Sequence, residues 1–264
     1  MTLPLDAYQL SPAEYELSQQ ATWSLTGSCM VDLGFKDFDF KPVPVAAELE
    51  GHEDLRYGTY SVTEAGKYGY RPARTAASVS GSGAVGGQEP KFTAEEEAAL
   101  DGVSPERTDG APKAVKKTAK GETIPKDGCY GQALSEITEG RSSTYLNDTT
   151  IEDLDGQSYE KSLTDPKVEE VFSSWQTCMK GRGYSYASPI DANNDPKWSE
   201  DEPSDAEIKT ATADAQCKEE AKVLTVWHSV EVDIQNSLIA THSSDLAPVR
   251  EMKLATARNS KQNL

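Results

Sequence analysis

Two short stretches of the chain share the pattern Cys-Met-x3-Gly-aromatic, and this repeat constrains the fold more than any other feature. The stretches are residues 29–35 and residues 178–184. Each one closes a segment that has the period of an amphipathic helix. A later segment in each half carries Cys-x3-Ala, beginning at Cys129 and at Cys217. The pattern predicts two related helical halves with two cysteines each.

The four cysteines are predicted to form two disulfides. Four cysteines allow three pairings, and the repeat favours Cys29–Cys129 and Cys178–Cys217, one bond in each half. A zinc site would need Cys-x2-Cys or a nearby histidine, and a catalytic thiol is usually one exposed cysteine beside a base. Closing loops of about 100 and about 39 residues would contribute roughly 4–5 kcal/mol each. Disulfides also imply an oxidising, extracellular compartment.

Helix-start signals recur along the chain and predict a mainly α-helical fold with long irregular loops. A serine or threonine followed three residues later by glutamate can cap a helix, and proline fits the first helical turn. In the first helix, the four-residue spacing predicts that Leu17, Ala21, Leu25 and Cys29 share one face. The predicted start sites are Ser11, Ser61, Thr93, Ser204 and the pair Asp165-Pro166.

The domain organisation is expected to be a single helical domain over residues 1–264. Its pseudo-repeat halves span about 9–140 and 164–258. Residues 141–163 are expected to form a polar connection with a turn at Asp153–Gly156. A Gly/Ser-rich tract predicts a flexible loop at about 76–90.

The composition excludes several kinds of partner. Acidic residues number 44 against 26 basic ones, which gives a net charge of -18, and mean hydropathy is -0.62. An acidic surface repels phosphate groups, so nucleic acid and anionic lipid are not expected as partners. No apolar run approaches the length of a membrane span, so no transmembrane segment is predicted.

The N-terminus lacks the pattern of a signal peptide. Met1–Leu5 has no basic region followed by an apolar run. The protein is then either cytosolic or a trimmed mature form with Met1 added for expression. The paired cysteines favour the trimmed form.

Four tyrosines form a candidate partner-binding group. Tyr57, Tyr60, Tyr68 and Tyr70 lie close together in the sequence among several glycines. Clustered tyrosines can make a rigid, amphipathic binding platform. The alternative is a loop that its aromatic rings anchor to the core.

No motif in the chain indicates catalysis. Asp191-x-Asn193-x-Asp195 with Glu202 resembles a calcium-binding loop, but Pro196 replaces the glycine that such a loop requires. We therefore predict an acidic surface loop, no metal, no cofactor and no enzymatic activity. An extracellular hydrolase with a carboxylate pair is the alternative, because so many acidic residues are present.

A regular apolar stripe follows residues 224–238. Its average step of about 3.5 residues suits packing along another helix. Packing within the fold is expected. The alternative is a subunit of a secreted assembly, with the stripe against another chain; the sequence does not indicate the oligomeric state.

Several short motifs together resemble a known group of proteins. They are Leu3–Tyr8, Cys29–Phe35, Arg56-Tyr57-Gly58, Tyr68-Gly69-Tyr70, Gly128-Cys129, Trp175–Tyr184, and Cys217 with Trp227. This combination resembles uncharacterised secreted proteins and lipoproteins of actinomycete-type bacteria. The resemblance implies export, usually with a lipid anchor on an N-terminal cysteine that is absent here, and no established activity.

The sequence therefore predicts a non-catalytic protein that binds another protein or a cell-wall component. It is expected to be secreted, or anchored on the outer face of the cell membrane through a lipid carried by a longer precursor.

Overall fold

The structure, a computed structural model, describes residues 1–38, 55–71, 91–105, 113–200 and 202–264. Within these ranges the chain is mainly helical, which confirms the predicted class. The described ranges contain no β-strand beyond two isolated bridges. The predicted loop at about 76–90 lies outside the described residues.

The α-helices follow one another along the chain with short connections in the second half. Short 3-10 segments occur at Pro4–Tyr8, Leu55–Tyr57 and Pro196–Trp198. The helices are α1 (Pro12–Asp32), α2 (Val62–Tyr68), α3 (Ala94–Asp101), α4 (Gly128–Ile137), α5 (Ser142–Asn147), α6 (Thr150–Leu163), α7 (Pro166–Gly181), α8 (Pro189–Asn193), α9 (Asp205–Glu220), α10 (Val223–Thr241) and α11 (Ser243–Gln262). None of the described helices is both long enough and apolar enough to cross a membrane.

Side-chain caps start the helices where the sequence predicted them. At α1, the Ser11 hydroxyl accepts a hydrogen bond from the Glu14 amide at 3.3 Å, and the Glu14 carboxylate accepts one from the Ser11 amide at 2.9 Å. The same reciprocal box opens α3. At α7, the Asp165 carboxylate accepts from the Lys167 amide at 2.8 Å. These caps satisfy amides that have no partner within the helix.

The predicted polar connection at 141–163 is wrong, because α5 and α6 occupy it. The predicted turn at Asp153–Gly156 lies inside α6. The buried face of α6 consists of Ile151, Leu154, Ser158 and Ser162. Two of these four residues are serines, so only the first half of the buried face is apolar in the sequence.

The helical region that begins at the predicted cap Ser204 is interrupted after α9. Lys222 has a left-handed backbone (φ 57°) and separates α9 from α10. The expected acidic loop after Ser188 contains the short helix α8 and a 3-10 turn. A second break follows at His242, since α10 ends at Thr241 and α11 begins at Ser243.

Residue contacts divide the chain into two compact units. Of the described residues, unit A comprises 1–7, 55–71, 151–200 and 202–243. Unit B comprises the remainder, which includes α1, α3, α4, α5 and nearly all of α11. Both units therefore take residues from both predicted halves. The single-domain and pseudo-repeat interpretations stay predictions.

The core of unit A forms where α9 packs against α2 and α7, and α10 packs against α7. Trp175 of α7 and Trp227 of α10 are both fully buried there. Phe172 meets Trp227 edge-on, with ring centroids 5.1 Å apart. The Cys178–Cys217 disulfide joins α7 to α9, which confirms the predicted pairing.

The core of unit B lies among α1, α3 and α4. Met30, Leu100 and Cys129 are buried together in it. The Cys29–Cys129 disulfide joins α1 to α4, as predicted. Each unit thus contains one of the two disulfides.

Candidate functional site

A groove in the described part of unit A is a candidate binding surface. Its volume is about 530 Å³. The apolar side chains Val230, Ile234 and Leu238 line it, and they repeat along one face of α10. The polar lining residues are Gln157, Lys161, Asp165, Lys167, Asp233, Ser237, Thr241 and His242.

The groove is positioned by an antiparallel seam between α6 and α10. Residue numbers rise along α6 as they fall along α10, so the two helices run in opposite directions. Gln157 and Lys161 lie next to the buried serines of this seam and form the α6 side of the groove. The seam hydrogen bonds are Gln235 Nε2 to Asp155 Oδ1 (3.0 Å), Ser158 Oγ to Glu231 Oε1 (3.0 Å), and Trp227 Nε1 to Ser162 Oγ (2.7 Å).

A buried carboxylate on α10 fixes the same seam from inside. The Glu231 side chain is 0% exposed and pairs with the Arg56 guanidinium, whose Nε lies 3.0 Å from Oε2. The Tyr57 hydroxyl donates to the same oxygen at 2.7 Å. Burial acts to lower the pKa of Arg56, but the hydrogen bonds that Arg56 donates to Glu231 and Asp155 outweigh it and raise that pKa. Glu231 is therefore a structural clamp, enclosed and fully engaged, rather than an accessible acid.

A second buried pair lies on α9. The Lys218 ammonium is 3.0 Å from Asp214 Oδ2 and donates to the Thr59 carbonyl at 2.9 Å. The Trp175 indole donates to Asp214 Oδ1 at 2.8 Å. Burial raises the pKa of Asp214, and the Lys218 charge opposes that shift. These contacts hold the segment around Thr59 against α9.

The four predicted partner-binding tyrosines occupy two kinds of environment. Tyr57 is 3% exposed and Tyr70 is 6% exposed, so both rings belong to the core of unit A. The ring of Tyr57 lies 5.0 Å from that of Trp227. Tyr60 and Tyr68 are half-buried and keep some access to solvent. A partner-binding role of these tyrosines stays a prediction. Of the four, only Tyr60 and Tyr68 have rings that a partner could contact directly.

The residues that resembled a calcium loop serve as local caps. The Asp191 amide is capped by Ser188, and the Asp195 carboxylate accepts from the Tyr186 hydroxyl at 2.9 Å. The Lys197 amide is the main cause that lowers the pKa of Asp195. In the part of the chain that the structure describes, no group of three histidine, cysteine, aspartate or glutamate residues could hold a metal ion.

Several charges in the groove have no partner among the described residues. The side chains of Lys161, Lys167 and Asp233 make no ion pair or hydrogen bond there. The Asp165 carboxylate, in contrast, is used as the cap of α7. Unpaired charges of both signs beside an apolar floor can bind a partner that carries complementary charges.

The hydroxyls of the groove are occupied by the helix backbone. Ser237 donates to the Asp233 carbonyl at 3.0 Å, and Thr241 donates to the Ser237 carbonyl at 2.8 Å. A serine nucleophile needs its proton directed to a general base. In this arrangement the Ser237 and Thr241 hydroxyl protons are directed to backbone carbonyls and not to a general base.

Sequence reasoning found only part of this site. The apolar stripe at 224–238 includes the floor, although Trp227 and Val230 are core residues and the stripe packs on α7 within unit A. The α6 side was missed together with its helix. Gln157 and Lys161, spaced four residues apart, were the one signal of a shared helical face.

No protein family, curated protein or solved structure matches the chain. The resemblance to secreted actinomycete proteins accordingly stays a prediction.

Proposed function

We propose that the protein is a non-catalytic extracellular or cell-envelope protein that binds a partner protein in the groove of unit A. The observation that carries this proposal is the pair of unpaired lysines, Lys161 and Lys167, beside the apolar floor of α10. Apolar contact supplies affinity in such a site, and the charges supply orientation and specificity.

The length of the groove suits a short extended peptide. Its lining on α10 runs from Val230 to His242. At about 1.5 Å per helical residue this is roughly 18 Å, which is the length of about five residues of extended chain at about 3.3 Å each. The expected ligand is a segment of that length in a partner protein.

The charges define the chemistry of that segment. Lys161 and Lys167 favour an aspartate or glutamate, and the apolar floor favours a neighbouring aliphatic or aromatic side chain. Asp233 favours a basic group elsewhere in the segment. A second copy of this chain is disfavoured as the partner, because two molecules that each carry a net charge of -18 repel one another.

The two disulfides support the proposed extracellular or cell-envelope location. Cys29–Cys129 and Cys178–Cys217 persist in oxidising surroundings such as those outside the cell. The hydrolase alternative has no comparable support, because Glu231 and Asp214 are enclosed and paired.

A random peptide library displayed on phage and selected against the oxidised protein tests the proposal. We expect enriched peptides that place an acidic residue next to an apolar one. Reversing both groove charges, Lys161→Glu with Lys167→Glu, should weaken binding of those peptides about tenfold, since two exposed ion pairs are worth about 1–2 kcal/mol together.

The matched control reverses two exposed lysines of unit B, Lys116→Glu with Lys117→Glu, and should leave the affinity within about twofold. The proposal is overturned if no peptide is enriched, or if the enriched peptides bind both double variants equally.

A further inference from the structure

A group of aromatic side chains lies together in unit B. We name it the aromatic cluster and define it as Tyr15 and Trp23 of α1, Tyr130 of α4 and Tyr145 of α5. Tyr15 and Trp23 lie on one face of α1 with Gln19 between them, because all three are spaced four residues apart. Tyr15 is 40% exposed, and the other three rings are partly exposed.

The inner side of the cluster is fixed by the core of unit B. Tyr130 and Tyr145 pack against the buried residues Ala21, Leu134 and Ile137. The rings of Trp23 and Tyr130 are 5.3 Å apart and inclined by 45°. Rings held in this way contact a ligand with little further loss of side-chain freedom.

The phenol groups of the cluster lie near one another. Burial raises the pKa of Tyr130, and the neighbouring phenols of Tyr145 and Tyr15 and the Asp101 carboxyl raise it further. Burial also raises the pKa of Tyr145, while hydrogen bonds with Ser18 and Gln19 act in the opposite direction. Three phenols and an amide thus present hydrogen-bond donors and acceptors beside exposed ring surface.

We propose that the aromatic cluster binds a neutral oligosaccharide. Its four rings and Gln19 carry no charge at neutral pH, and the Asp101 carboxyl near Tyr130 adds negative charge at the edge, so the surface suits a neutral ligand better than an anion. An aromatic face is electron-rich, and the C–H groups on one side of a pyranose ring are weakly positive, so a sugar ring stacks on it. The phenols and the amide match the alternating hydroxyls of a sugar.

Leu146, which follows Tyr145 in α5, is an exposed apolar residue. An anionic polymer is a poorer match than a neutral one, because the net charge of -18 repels it. The groove of unit A offers charged side chains instead, so the two surfaces are expected to select different ligands.

Tryptophan fluorescence of the full oxidised chain tests the proposal, because Trp23 belongs to the cluster. The probes are chitotetraose, cellotetraose and maltotetraose, with tetragalacturonic acid as the anionic comparison. We expect a saturable change with at least one neutral tetrasaccharide and none with the acid. Tyr15→Ala and Gln19→Ala should each weaken that binding about 3- to 10-fold, the usual range for losing one stacking or hydrogen-bonding group.

Two controls keep the outcome specific. Tyr184→Ala, which changes a half-buried tyrosine of unit A, should leave sugar affinity unchanged. So should Lys161→Glu with Lys167→Glu, which separates failure here from failure of the peptide groove. Trp23→Phe should remove the fluorescence change while calorimetry still detects binding. The proposal is overturned if no neutral tetrasaccharide binds at about 10 mM, or if Tyr15→Ala binds as tightly as the unmodified protein.

Discussion

Glu231 of α10 binds side chains from several parts of the chain. Its buried carboxylate is held by Arg56, Tyr57 and Ser158, which come from two separate segments of the sequence. A buried charge of this kind is tolerated only because its partners remain in place. The pair therefore serves mainly to fix the 3-10 segment and α6 against α10.

Arg56→Met tests that clamp. The substitution leaves Glu231 buried without a cation, so we expect the free energy of unfolding to fall by about 3–5 kcal/mol, measured by urea denaturation. Adding Glu231→Gln to the same chain should restore most of the loss, because the unpaired charge is then gone. A loss below about 1 kcal/mol in the single variant would contradict the role of the clamp.

Glu14 makes the start of α1 sensitive to pH. The Ser11 amide is the main cause that lowers the pKa of this carboxyl below 4.5. Because the folded-state pKa is the lower one, the stabilisation is complete above about pH 4.5 and is lost as the pH falls through the folded-state pKa. We expect Glu14→Gln to cost about 0.5 kcal/mol at about pH 7 and nothing at about pH 2.5. Urea denaturation at both pH values checks this, and an equal cost at both would contradict it.

At the scale of the helix, the sequence predicted those elements whose core faces are apolar or whose starts are capped. The first residues of α1, α3 and α7 follow from capping serine, threonine and aspartate residues that are visible in the sequence. Both disulfide pairings followed from the repeated motif, which is a local pattern with a long-range consequence.

One physical cause of what sequence reasoning missed is the burial of small hydroxyl side chains. In α1, Ala21 of the expected face is buried, whereas Leu17 and Leu25 are half-buried. The other buried positions of α1 are mostly Ser18, Thr22 and Thr26. Their hydroxyls donate to backbone carbonyls of the preceding turn, such as Thr22 to the Ser18 carbonyl at 2.7 Å. A satisfied hydroxyl can be buried at little cost, so hydropathy does not identify the face.

Ser162→Ala tests this explanation on α6. Ser162 accepts the Trp227 indole hydrogen bond at 2.7 Å in the core of unit A. Without it, a buried N–H has no partner, and we expect a loss of about 1–3 kcal/mol in the free energy of unfolding. Ser174→Ala is the matched control, because this exposed helical serine bonds only the Glu170 carbonyl. It should change stability by less than about 0.5 kcal/mol. Equal effects of the two substitutions would contradict the explanation.

At the scale of the whole molecule, neither candidate surface could have been found from the sequence alone. The groove combines residues of α6, α7 and α10 that lie up to about 85 positions apart, and one of those helices was not foreseen. The aromatic cluster combines α1, α4 and α5, while the tyrosines that are close in sequence are partly taken into the core. The spacing of the tyrosines at 57–70 in the sequence did not show which rings are buried. The tertiary packing determines which side chains form each surface.

The central claim is that the groove of unit A is where a partner binds. Its most direct test is a titration of the ¹⁵N-labelled, oxidised protein with a selected acidic–apolar peptide, followed by amide chemical shifts. We expect the shifts to concentrate at residues 157–167 and 230–242, and to disappear when Lys161 and Lys167 are both changed to glutamate. Shifts that concentrate elsewhere in the chain, or that persist in the double variant, would contradict the claim.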